Sequence, residues 1–170
     1  MHCKMKRPVI YLYKMIFSTE VVMKYIICSI FGDVNVICGE DTLFRIKSTV
    51  EKLITEHGVG VFLFSGRSEF EMLCLKAVRL LKAEYPDIRL LYVRDEYKYA
   101  NDEDREFVAK HFDDSFSPFD SKGRKTMRYT IDSSELCVFY FDKASKEKSG
   151  AKTAYRYAKR RKKDIVNLLL

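Results

Sequence analysis

The chain has 170 residues with 47% hydrophobic and 32% charged side chains, a composition that excludes wholesale disorder. It fits one ordinary domain, and no stretch reaches the ~18 uninterrupted apolar residues of a membrane span. The formal charge is +7, but residues 1–22 contribute Lys4, Lys6, Arg7 and Lys14 against Glu20, leaving a mild +4 on the remainder.

Residues 1–22 have a basic start and apolar content, yet Lys14 and Glu20 break the run and no small-residue cleavage site follows, so this is a poor signal peptide. We expect an N-terminal appendage, either an over-reading of the true start or an extra edge strand through the β-prone VIYLY. Residues 23–170 are then a single domain. KYIICSIF (24–31) is almost continuously apolar, as in a strand covered on both faces. Asp41 or Thr42 can cap a helix whose apolar positions Leu43, Ile46, Val50, Leu53 and Ile54 end at His57 and Gly58.

The pattern repeats. VFLF (61–64) reads as a buried strand, Phe70 to Leu81 as a helix stopped before Pro86, and IRLLYV (88–93) as the next strand. From 95 to 134 the signal weakens to a polar helix near 102–110, a poor strand around 112–117 and a short helix ending near Ser134. ELCVFYF (135–141) is a strand, Ala151, Ala154, Tyr155 and Ala158 mark a helix face, and DIVNLLL (164–170) is a last strand. Strands alternating with amphipathic helices predict a Rossmann-like, three-layer α/β domain. Its sheet is mostly parallel, of five to six strands, with helices on both faces.

In such a sheet, ligands collect outside the carboxyl ends of the strands, where loops lead into helix N-termini with free N–H groups. Three segments hold that position: FGDVN (31–35), SGRSEFE (65–71) and KSGAKT (148–153). In the second, Gly66 permits close backbone approach, Arg67 can hold a phosphate or carboxylate, and Ser68 can cap the helix. Ser68 and Glu71 also have the spacing of a capping box, so a structural and a ligand-directed role for Glu71 both stand open. KSGAKT is not a Walker A motif, but Ser149 as cap, Gly150, and Lys152 with Thr153 in the first turn suit either an anion or an ordinary helix start.

The basic run KRRKK (159–163) suits a helix C-terminus, and only Tyr155 and Tyr157 interleave it, so no stacking platform for nucleic acid is evident. Five cysteines (Cys3, Cys28, Cys38, Cys74, Cys137) lack metal-type pairing, and His2, His57 and His111 are scattered. Neither a metal nor a disulfide framework is expected, and the cysteine usage points to a reducing cytoplasm.

The segment from FLFSGRSEFEMLCLKAVRLLKAEYPDIRLLYV to IDSSELCVFYFD and SGAKTAYRYAKRRKKDIVNL resembles the SLOG superfamily of Rossmann-like domains, specifically its YpsA-like branch of bacterial and phage proteins. The resemblance covers roughly residues 24–168. It implies a nucleotide or nucleotide-derived ligand across the strand ends, held by a sensor or accessory protein, with no resident cofactor. Its implied partners are that small molecule and a second copy in a homodimer; nucleic acid ranks behind them, and no membrane is implied. Relatives of the LOG type cleave the N-glycosidic bond of nucleoside monophosphates and others resemble DprA, which handles DNA. By position, Gly66 and Glu71 match the turn's second glycine and acidic residue, and Ser149, Gly150, Lys152 and Thr153 match the second loop.

The departures are concentrated at the same places. Gly32, Asp33 and Val34 stand where the branch has a G-H-R turn, and Ser65 and Gly66 replace paired glycines. Arg67 and Ser68 fill positions that are commonly apolar and glycine. Thr126 and Met127 replace an R-N pair, with Arg124 and Arg128 near enough to restore the charge. The expected ligand set is therefore Gly32, Asp33, Ser65, Gly66, Arg67, Ser68, Glu69, Arg128, Ser149, Gly150, Lys152 and Thr153. Glu71, with Glu69 beside it, is the candidate for glycosidic catalysis. The joint loss of family contacts favours a binder over an enzyme.

Overall fold

The computed structural model describes residues 25–33, 40–96, 99, 101–118, 124–142 and 149–168. The proposed appendage, Val34, Cys38 and Lys148 lie outside them.

The described chain alternates strand and helix throughout. The strands are β1 (Ile26–Gly32), β2 (Val59–Phe64), β3 (Arg89–Val93), β4 (Asp114–Phe116), β5 (Leu136–Tyr140) and β6 (Asp164–Asn167). The helices are α1 (Glu40–Thr55), α2 (Glu69–Leu81), α3 (Asp102–His111), α4 (Arg124–Asp132) and α5 (Gly150–Arg160). The six strands form one sheet in the order β4-β3-β2-β1-β5-β6, every pair parallel. This is the Rossmann-like α/β architecture. The sheet is wholly parallel among the described residues because each strand is followed by a helical crossover long enough to return the chain to the same edge.

Burial follows from that topology. All six residues of β2, VGVFLF, are buried, because β2 lies inside the sheet with side chains covered on both faces. On one face Cys28, Ile30, Phe62, Phe64 and Leu90 pack with Ile46, Val50 and Leu53 of α1 and Phe70, Cys74, Ala77 and Val78 of α2. On the other, Phe31, Cys137 and Phe139 pack with Ile131 of α4 and Ala151, Ala154 and Ala158 of α5, where small residues let the helix close on the sheet. Cys28, Cys74 and Cys137 are buried free thiols. Burial pushes all three thiol pKa values up, that of Cys137 to about 11, so they behave as small hydrophobes.

One local detail differs from the sequence reading, the turn at Gly58 agrees with it, and a register shift adds to it. Helix α1 begins at Glu40, so Asp41 and Thr42 lie inside its first turn instead of capping it; Asp41 there still suits the positive end of the helix. Gly58 has φ +68, the left-handed conformation that lets the chain leave α1 and enter β2. The register of β1 on β2 shifts between Ile26 and Ile27, beside Gly60, where a Cβ would fall 2.1 Å from the Tyr25 ring.

Candidate functional site

The chain runs outward through β1, β2, β3 and β4, then crosses back to place β5 on the other side of β1. The carboxyl ends of β1, β2 and β5 therefore lie side by side at the point where strand order reverses, the usual ligand position in an open parallel sheet. Helix α2 approaches β1 from one face and α5 from the other. The predicted groups Gly32–Asp33, Ser65–Glu69 with Glu71, and Ser149–Thr153 thus belong to three adjacent strand ends.

The two helix starts are built differently. Ser68 caps α2: its hydroxyl accepts from the Glu71 N–H at 3.2 Å, and the Glu71 carboxylate accepts from the Ser68 N–H at 2.8 Å. This is a complete capping box. Glu71 is 6% exposed, and burial raises its pKa, with the bonds to Ser68 opposing that rise. Its carboxylate also fills the space beside Gly66, where a Cβ would lie 2.5 Å from Oε2. The two candidate roles left open for Glu71 are thereby weighted toward structure. Glu69, exposed in the same turn, adds a second carboxylate to the positive end of α2, which makes this terminus a poor anion acceptor.

Helix α5 has the opposite balance. Ser149 caps it by accepting from the Lys152 N–H at 3.1 Å, and the Thr153 hydroxyl donates to the Ser149 carbonyl at 3.0 Å. No acidic residue stands in its first turn, and Lys152 does. Gly150 is exposed with nothing within 4 Å of its missing Cβ among the described residues, which leave the backbone here open to approach. Of the two loops, KSGAKT has the open backbone and the carboxylate-free first turn that an anion needs, although the Lys152 side chain is itself buried.

Gly32 ends β1 for a packing reason. A Cβ there would fall 2.4 Å from both Cβ and Cδ1 of Phe70, whose fully buried ring stacks on Tyr140 at 5.0 Å. Asp33, just past the strand, still bonds to β5, its N–H donating to the Tyr140 carbonyl at 3.1 Å. Gly32 and Gly66 thus let α2 seat against the sheet.

Arg67 does bind a carboxylate, but one from the protein. Its guanidinium is 2.7 Å from Asp104 of α3 and 4.1 Å from the centroid of the Phe107 ring. It faces a cavity of about 540 Å³ at the carboxyl end of β3, lined also by Tyr92, Arg94, Glu96, Tyr99 and Asp104. The sequence reading missed this cleft. Its signal was the YVRDEYKY segment, whose aromatic and charged residues lack helical or strand periodicity.

Arg128 is exposed on α4 and stands 5.5 Å from the centroid of the Tyr157 ring of α5. The neighbouring Thr126 is buried, and its hydroxyl has no hydrogen-bond partner among the described residues. Part of the basic run is used internally. Arg161 pairs with Asp132 at 2.6 Å, and Lys163 donates to the Asp132 carbonyl at 3.2 Å and to that of Ser134. Lys159, Arg160 and Lys162 remain exposed. Among the described residues no group of His, Cys, Asp or Glu could hold a metal, and no helix is long and apolar enough to cross a membrane.

No family model and no curated protein matches the chain. Among solved structures, three of the molybdenum cofactor carrier protein from Chlamydomonas reinhardtii are similar, with TM-scores of 0.54, 0.51 and 0.51. Each is 17% identical over 85% of this chain and 76% of the carrier chain. Likeness at this identity establishes a common fold.

Proposed function

We propose that residues 23–170 form a SLOG-like domain that binds a small phosphorylated, nucleotide-derived ligand across the ends of β1, β2 and β5, as a sensor or accessory protein. The observation that carries this reading is the N-terminus of α5. It combines an open glycine, a serine cap, a first turn without carboxylates and Lys152, at the reversal point of the sheet. That a protein of the same fold is by name a carrier of a cofactor is in keeping with binding without turnover. Glu71 supports the same side of the question, since its carboxylate is spent on the capping box and on packing against Gly66.

The test is thermal stabilisation by a panel of mono-, di- and cyclic nucleotides and ADP-ribose, because a ligand of the folded state raises the melting temperature by mass action. Gly150→Asp is the informative variant. Its side chain meets none of the described residues and its charge suits a helix start, so the fold is kept while a phosphate is repelled. Stabilisation of the parent that is lost in Gly150→Asp is expected. A parent that no ligand stabilises would overturn the proposal.

One observation favours a second reading. Burial raises the pKa of Glu71, as a general acid for N-glycosidic cleavage requires. Release of base from nucleoside monophosphates, abolished in Glu71→Gln, would establish it.

A further inference from the structure

The cleft beside α3 has walls that are held in place before any ligand arrives. Tyr99 lies under the Arg94 guanidinium at 4.4 Å, and its hydroxyl is 2.8 Å from the Ser115 hydroxyl on β4. Across the cleft, Arg67 is held by Asp104 and Phe107, and its guanidinium lies 5.8 Å from the Tyr92 centroid. Tyr92 is in turn packed on Phe112 at 5.1 Å. Aromatic faces backed by guanidinium groups are the standard surface for a flat heteroaromatic ring, and pre-set walls lower the ordering cost of binding one.

The rim of the cleft has a definite polarity. Glu96 is exposed at its edge, so it offers a carboxylate acceptor to whatever ring enters. Three parallel strand spacings, roughly 14 Å, separate the end of β3 from that of β5, which leads into α5. An extended nucleoside monophosphate with a hydrogen bond at each end covers that span. The ring would then lie at β3 while the phosphate reaches over β2 and β1 toward α5.

Resting on the nucleotide reading above, we propose that this cleft is the ring-binding half of the site and that it selects guanine over adenine. Guanine presents two adjacent N–H donor groups on its pairing edge, which one carboxylate accepts together. Adenine presents one donor beside a ring nitrogen lone pair, which faces the carboxylate with like charge. Glu96 is the residue assigned to this edge, Tyr99 and Tyr92 to the faces.

Calorimetric titration with GMP, AMP and guanosine separates the parts. The parent should bind GMP about tenfold or more tighter than AMP, the effect of one good bidentate pair. Glu96→Gln should bring the two within about threefold of each other by weakening GMP alone. Tyr99→Ala should weaken guanosine, which carries no phosphate, while Gly150→Asp should weaken the nucleotides and spare guanosine. Equal binding of GMP and AMP by the parent, or a guanine preference that survives Glu96→Gln, overturns the proposal and leaves the nucleotide reading standing. Binding of none of the three ligands overturns both.

Discussion

Gly32→Ala separates a packing glycine from a ligand glycine. The added methyl would fall 2.4 Å from Cβ and Cδ1 of Phe70 and 2.7 Å from its Cγ. Ordinary contact requires about 1 Å more than this, and the ring cannot swing away because it is fully buried against Tyr140. One of the three crowded atoms is Cβ itself, so trimming Phe70 to alanine leaves the clash in place. Helix α2 has to retreat from β1 as a body. Overpacking of this kind costs roughly 1–3 kcal/mol, and a displaced helix puts the expected value near the upper end, about 3 kcal/mol. For a chain of this length that corresponds to a fall in Tm of roughly 6–12 °C. Chemical and thermal denaturation followed by circular dichroism measure it directly. A variant within about 0.5 kcal/mol of the parent that has nonetheless lost ligand binding would refute the packing argument and return Gly32 to the ligand.

Glu71→Gln keeps the capping-box geometry but removes the charge. The folded-state pKa of Glu71 is raised by burial, so the folded chain holds this proton to higher pH than the unfolded chain does. The associated stability is fully present below the ordinary carboxylate range and is lost as pH rises through the raised value; urea titrations across this window should show a decline in the parent that is absent in Glu71→Gln, and parallel curves would contradict it. A double-mutant cycle on Arg67 and Asp104, both partly exposed, should give a coupling of about 0.5–1 kcal/mol, and a coupling of zero would remove the bridge from the account of the cleft. Ser149→Ala should cost about 1 kcal/mol through loss of the α5 cap, seen as a Tm lower by roughly 2–4 °C, whereas an unchanged Tm would mean that the cap is idle.

The parts of the fold that were legible in the sequence are those where one physical rule acts alone. Continuous apolar runs marked β1, β2, β3 and β5, and the helical spacing from Phe70 to Leu81 marked α2, because each buries its apolar side chains against apolar neighbours. Helix α4 was hard to read because polar residues share its inner face with Ile131. Thr126 and Thr130 are buried in it and Ser133 and Ser134 just after it, and two of these hydroxyls bond locally, Thr130 donating to the Thr126 carbonyl at 2.9 Å and Ser134 to that of Thr130 at 2.8 Å. Helix α3 buries only Val108 fully and seats on the sheet through Phe107, so its pattern is mostly solvent-facing.

The candidate loops were legible in position but not in role. The strand-end loops could be placed from the order of elements, yet glycine, serine and glutamate in SGRSEFE have the same spacing whether they serve a helix start or a ligand. Three-dimensional contacts decide between the two: Gly66 against Glu71, Gly32 against Phe70, and Arg67 against Asp104. Those residues are separated along the chain by 5, 38 and 37 positions respectively, and for the last two no local pattern links the partners. In KSGAKT no such internal partner among the described residues takes up Gly150.

The most direct test of ligand binding at the strand ends is amide chemical-shift mapping during titration with GMP. The account predicts perturbations concentrated at Gly32 and Asp33, at Gly150 to Thr153, and in the cleft around Tyr92 and Tyr99. Shifts confined to the exposed basic residues Lys159, Arg160 and Lys162, or the absence of any shift at the N-terminus of α5, would contradict it.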